Sequence, residues 1–294
     1  MPEPMMPQLG ERNSKEQLEK CKTAIIDGEF DLYYGGKEEG SFKPTDPKFA
    51  ERIEKVREDL GLKYIFAPSL NFTRRTASVT EPTEQLYVVG PTNEKLEYAD
   101  SGIVRTEAKA DGGIVFFDEL EVAGIKPEEI ALAGFNADCP FIVGYEEERR
   151  AFFMLHAGLA CLHKTGEKGR QTIMSELIKE HGLDPKKIRI QVTAGIQKCC
   201  YGRNDGVVFN DVLKTWGVRF EDKATSESRS GQQSLNMAGL IFNALQKDGI
   251  KSDNIEMDAH CTCCDGEHYS NVNGDQERNL VLARPSQLFE KSRE

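Results

Sequence analysis

The 294-residue sequence contains no run of about 18 apolar residues, so no membrane-spanning helix is expected. Positive charge is also in short supply. The 38 Lys and Arg face 49 Asp and Glu, and the net charge of −11 repels phosphate backbones. The basic stretches Arg74-Arg75 and Lys186-Lys187 with Arg189 are short and read as solvated faces, so nucleic acid is not an expected partner. There is no internal repeat and no phosphate loop; Gly35-Gly36 and Gly112-Gly113 read as turns. Residues 1–20 are rich in Pro, Glu and Lys and lack the apolar stretch of a secretory signal, and they are expected to form a solvated N-terminal arm. Residues 21–294 then form a single domain, with 38% hydrophobic residues available for its core.

Eight cysteines stand out: Cys21, Cys139, Cys161, Cys199, Cys200, Cys261, Cys263 and Cys264. The vicinal pairs Cys199-Cys200 and Cys263-Cys264 suit a disulfide framework badly, and a chain of this size does not need one. The expected state is reduced thiols in a cytoplasm, with their clustering pointing to a metal, a catalytic site or tight packing.

Strand and helix signals alternate. A helix is expected over Phe49–Leu60, and strands over Leu62–Phe66, Gln85–Val89, Gly102–Arg105, Gly113–Phe117 and Ile130–Asn136. Phe141–Tyr145 and Ala151–His156, separated by a polar stretch, read as a β-hairpin. Further on come a helix ending at His181 before Gly182, a strand at Ile188–Ala194, and a helix over Ser234–Lys247 stopped by Gly249. Strands at Ile255–Asp258 and Asn279–Ala283 follow. The hairpin argues against a strict βαβ repeat, and the expected class is α+β.

The hairpin supplies the main functional expectation. Cys139 precedes its first strand and His156 ends its second, so the two meet at one end of the sheet. A lone cysteine is most often a small buried hydrophobe, and a histidine a satisfied core residue. Beside an imidazole, however, a thiol becomes a nucleophile or a metal ligand. The small residues Ala157-Gly158 are expected to let a substrate approach the backbone. Cys199, Cys200 and Cys261 lie in a second cluster with His260, Cys263 and Cys264. Thiolates and an imidazole are typical zinc ligands, so a structural zinc is one reading of this cluster. Its spacing, however, is not that of paired CxxC knuckles, and adjacent Cys199 and Cys200 can hardly share one ion without strain. Packed thiols, or thiols behind the metal ligands, are the expected reading. His181, at a helix C-terminus, is expected to be structural.

The ordered segments Asn136-Ala137-Asp138-Cys139, His156-Ala157-Gly158-Leu159-Ala160, Lys198-Cys199-Cys200-Tyr201 and Cys261-Thr262-Cys263-Cys264 resemble the TADC, HAGWRG, GPCCY and CTYC motifs of the laccase-domain family. That family is also described as multicopper polyphenol oxidase-like proteins and as zinc-dependent purine nucleoside phosphorylases. The resemblance implies a layered sandwich of mixed sheets with flanking helices, similar also to the cytotoxic necrotizing factor deamidases. It implies a zinc site of one Cys and two His, of which Cys139 and His156 match two. No histidine precedes His156; Asn71 takes the place of the family's first His, and Leu159 and Ala160 replace its Trp and Arg. The implied activity is phosphorolysis or deamination of a purine nucleoside, a small-molecule substrate. Two alternatives stand beside it: a metal-free cysteine hydrolase or amidase using Cys139 and His156, and an inactive binding protein of the same fold.

Overall fold

The computed structural model describes residues 30–69, 97–98, 103–109, 111–122, 124–162, 172–202 and 234–286. The arm at 1–20, Cys21, Asn71, the strand expected at Gln85–Val89 and His163 lie outside them.

Among these residues two mixed sheets form. The first contains β1 (Phe30–Gly35), β2 (Tyr64–Ser69), β3 (Glu97–Tyr98), β4 (Ile103–Lys109), β6 (Ile130–Asn136) and β11 (Asn279–Pro285), in the order β1-β11-β6-β2-β4-β3. The second contains β5 (Gly112–Phe116), β7 (Phe141–Glu146), β8 (Ala151–His156), β9 (Ile188–Val192) and β10 (Ile255–Met257), in the order β10-β9-β7-β8-β5. The helices are α1 (Phe49–Asp59), a short α2 (Phe117–Val122), α3 (Ile173–His181) and α4 (Met237–Lys247).

Alternation along the strands builds the layers. On β7 and β8, Phe141, Val143, Tyr145, Phe152 and Met154 pack with Phe30, Leu32, Leu132 and Val281 of the other sheet. The intervening Ile142, Phe153 and Leu155 meet Ile173 and Leu177 of α3 and Leu240, Ile241 and Leu245 of α4. On the far face of the first sheet, Phe49, Ile53 and Val56 of α1 cover Ile65, Ala131, Phe135 and Leu282. The order of layers is therefore helix, sheet, sheet, helices. Covered on both faces, β6, β7 and β8 are buried at every residue, and this explains their unbroken apolar runs.

Among the described residues, the expected elements form with end shifts of a few residues. The Asn236 side chain caps α4 by accepting the Gly239 N–H at 3.0 Å, so that helix begins later than expected. Gly182 ends α3 in the left-handed region, at φ 63°.

Candidate active site

The β7–β8 hairpin has the register Phe141↔His156 through Glu146↔Ala151. Cys139 and Pro140 therefore enter β7 where His156 leaves β8, and the Ala157 N–H donates to the Pro140 carbonyl at 2.9 Å. The backbone pairing thus sets Cys139 beside His156. The two residues meet at one end of a shared hairpin.

Two further groups join them. Strand β5 pairs with β8 through Gly112↔Leu155, which brings Asp111 to the end of β8. There the Asp111 carbonyl accepts the His156 N–H at 2.6 Å, and its carboxylate Oδ1 lies 3.3 Å from His156 Nδ1. After β8 the chain turns through a single 3-10 turn, Leu159–Cys161, and returns the Cys161 Sγ to 3.7 Å from the same nitrogen. Ligand atoms of Asp111, His156 and Cys161 all lie within 4.8 Å of one another. Of the two thiols on this ring, Cys161 is buried and Cys139 half-buried.

The electrostatics follow from the company. Burial works against a charged imidazole, but its neighbours Cys161, Asp111 and Cys139 overcome it and hold His156 well above the usual histidine value. Burial pushes the Cys161 thiol up, partly offset by the imidazole. Sequence alone does not single out Asp111 or Cys161. The only local signals were an acid at the mouth of a strand and a thiol five residues beyond His156.

The Ala157-Gly158 segment does not open the backbone to a substrate as expected. A Cβ on Gly158 would lie 2.8 Å from His156 Cε1, so the imidazole itself fills that space. Glycine is required there for the ring to lie against the chain.

Asp138 ties this loop to the C-terminal part of the chain. Its carboxylate accepts the Ser270 hydroxyl at 2.7 Å, the Thr262 hydroxyl at 3.1 Å and the Val272 N–H at 3.0 Å. Its carbonyl accepts the Ile196 N–H at 2.8 Å. Cys199, Cys200 and Cys261, expected behind the metal ligands, instead gather with Cys264 in a cluster of their own. The seven described cysteines are all thiols.

A four-coordinate ion with bonds of about 2.0 Å to N and O and about 2.3 Å to S would separate these atoms by about 3.3 Å (N–O) and about 3.5 Å (N–S). The observed 3.3 and 3.7 Å at Asp111, His156 and Cys161 fit such an ion. Asn71 lies outside the described residues. No described helix is long and apolar enough to cross a membrane.

Residues 104–279 match the family model described as Multi-copper polyphenol oxidoreductase laccase. Three solved structures are similar. The hypothetical protein YfiH of Bacillus licheniformis is 19% identical, with 87% of this chain and 93% of that chain covered and a TM-score of 0.59. YlmD from Geobacillus stearothermophilus is 16% identical, with 88% and 92% covered and a TM-score of 0.61. Neisseria meningitidis NMB0706 is 16% identical, with 84% and 86% covered and a TM-score of 0.55. At these identities the likeness establishes the fold. No curated protein sequence matches the chain.

Proposed function

The chain belongs to the multi-copper polyphenol oxidoreductase laccase family, and from that premise we propose a metal-dependent enzyme that phosphorolyses or deaminates a purine nucleoside at the cluster around His156. The observation that carries the reading is the convergence of a carboxylate, an imidazole and a thiol, from Asp111, His156 and Cys161, within 4.8 Å. Three protein ligands of this kind are what a catalytic zinc uses, leaving one position open. A bound zinc would supply a Lewis acid and a water of lowered pKa.

The residues of the chain do the rest. Asp111, besides offering a carboxylate oxygen beside Nδ1, holds the His156 backbone through its carbonyl. Cys139, more exposed than Cys161 and next to His156 at the hairpin end, would serve as a further ligand or as a proton donor. Support for a purine nucleoside comes from the four ordered motifs shared with that family. The partner is accordingly a small molecule, and the compartment a cytoplasm that keeps the thiols reduced.

A second reading is favoured by one observation. Cys139 enters β7 beside His156, whose Nδ1 faces Asp111, and this suits the order of nucleophile, base and orienting acid in a metal-free cysteine hydrolase. Nucleoside turnover measured with and without phosphate, before and after chelation, separates the two. The metal reading expects turnover to fall with chelation, return with zinc, and be lost in Asp111→Ala and His156→Ala. Hydrolysis of amides or esters that survives chelation but disappears in Cys139→Ala would replace it with the cysteine hydrolase.

A further inference from the structure

Strands β9 and β10 are parallel neighbours, with Ile190 opposite Ile255 and Val192 opposite Met257. Parallel strands send their following loops out at the same sheet end. Pairing continues into the loops through a Gly195↔Cys261 bridge, with the Gly195 N–H donating to the His260 carbonyl and the Thr262 N–H to the Gly195 carbonyl, both at 3.4 Å. Two tight turns then form side by side. In the first, the Cys200 N–H reaches the Gln197 carbonyl at 3.0 Å; in the second, the Cys264 N–H reaches the Cys261 carbonyl at 2.9 Å.

These turns converge four sulfurs from two pairs of cysteines that lie more than 60 positions apart in sequence. Cys264 Sγ lies 3.5 Å from Cys199 Sγ and 3.1 Å from Cys200 Sγ, and the Sγ atoms of Cys199, Cys200, Cys261 and Cys264 all fall within 4.8 Å of one another. A tetrahedral ion with sulfur bonds of about 2.3 Å separates its sulfurs by about 3.8 Å. The expected strain in using adjacent Cys199 and Cys200 does not arise, because the turn directs both sulfurs to Cys264. Two observations argue against simple packing. Cys199 and Cys264 are exposed, so little apolar burial rewards their crowding. The Gln197 N–H also points at Cys261 Sγ, 3.4 Å away, as amides do toward a ligating thiolate. Cys263 stays outside the cluster; its thiol donates to Asn273 Oδ1 at 3.2 Å.

We propose that Cys199, Cys200, Cys261 and Cys264 form a tetrathiolate site for a single zinc ion, clamping together the loops that follow β9 and β10. All four ligand positions are filled by protein, so the site is structural and has no open position for a substrate. Binding releases the thiol protons and ties the Thr262 loop, which bonds Asp138, to the loop that carries Ile196.

Elemental analysis of the full chain tests this in a His156→Ala background, which removes the histidine of the other cluster. One zinc per chain is expected there, and it should be lost when Cys200→Ser or Cys264→Ser is added but kept with Cys263→Ser. Cobalt exchanged into the His156→Ala protein should give the sulfur-to-metal charge-transfer and intense visible bands of tetrahedral thiolate coordination. Should the serine variants fail to fold, Cys264→His keeps a fourth ligand and is expected to hold cobalt with an altered spectrum. Absence of zinc and of the cobalt bands in the His156→Ala protein would overturn the proposal. So would a disulfide from Cys264 to Cys199 or Cys200 in protein purified anaerobically. None of these readouts depends on nucleoside turnover, so the metal-dependent reading at His156 stands or falls separately.

Discussion

Asp138 is the residue next to Cys139, yet its three side-chain hydrogen bonds all reach the segment between Thr262 and Val272. Ser270 and Thr262 are buried, so removing their acceptor strands two hydroxyls away from water. Asp138→Ala should therefore cost about 2–4 kcal/mol, and Asp138→Asn, which keeps an acceptor oxygen, less. Urea midpoints for the two variants check this, and equal losses would mean that the carboxylate is not the anchor. At Gly158 the expected effect is on chemistry. A methyl group there would press on the His156 ring, and Gly158→Ala should lower turnover about a hundredfold with an unchanged circular dichroism spectrum. Wild-type turnover in that variant would show that the ring position does not matter.

At the scale of elements, α3 offers a pH-dependent test. His181, in its last turn, packs on the Phe116 ring with centroids 5.6 Å apart. Burial lowers its pKa, Arg149 lowers it further, and Glu180 opposes both. The half-buried ring, packed on Phe116 at the helix end, thus favours its neutral form. A histidine whose folded pKa is depressed contributes stability that is fully present above about pH 6.5 and is lost as pH falls through the folded value. Lowering the pH from about 7.5 to about 5 should therefore cost wild-type urea stability that His181→Gln does not lose, so the variant's midpoint gains on wild type over that range. An identical slope in the variant would remove His181 from the account. The start of the same helix has its own test. The Thr172 hydroxyl accepts the Ser175 N–H at 3.0 Å, and Thr172→Ala should cost about 1 kcal/mol.

Across the whole molecule, four layers share two sheets, so an outer layer should not melt alone. Ile53 is fully buried between α1 and the six-stranded sheet. Ile53→Ala should cost about 2–5 kcal/mol, seen as a lower urea midpoint with an unchanged slope. A second transition would mean that the α1 layer unfolds on its own.

Much of this fold follows from local pattern. The runs at Ile130–Asn136 and Ala151–His156 are bounded by turn residues, and their strands begin and end where those boundaries lie. The meeting of Cys139 and His156 was readable for the same reason: both belong to one hairpin, whose short turn sets the register. Phe30–Gly35 was not readable, because this strand carries an acidic residue and a glycine and, among the described residues, pairs only with β11 at the far end of the sequence. Asp111 was hidden by a similar cause, and so was which of the clustered cysteines bring their sulfurs to one point. Asp111 reaches His156 through the pairing of β5 with β8, and the thiols meet because β9 and β10 lie parallel. Residue types, charge and the hairpin are properties of the sequence by itself. Which distant donors share one point in space depends on strand order, and strand order is settled by burying the faces of both sheets together rather than by any local signal.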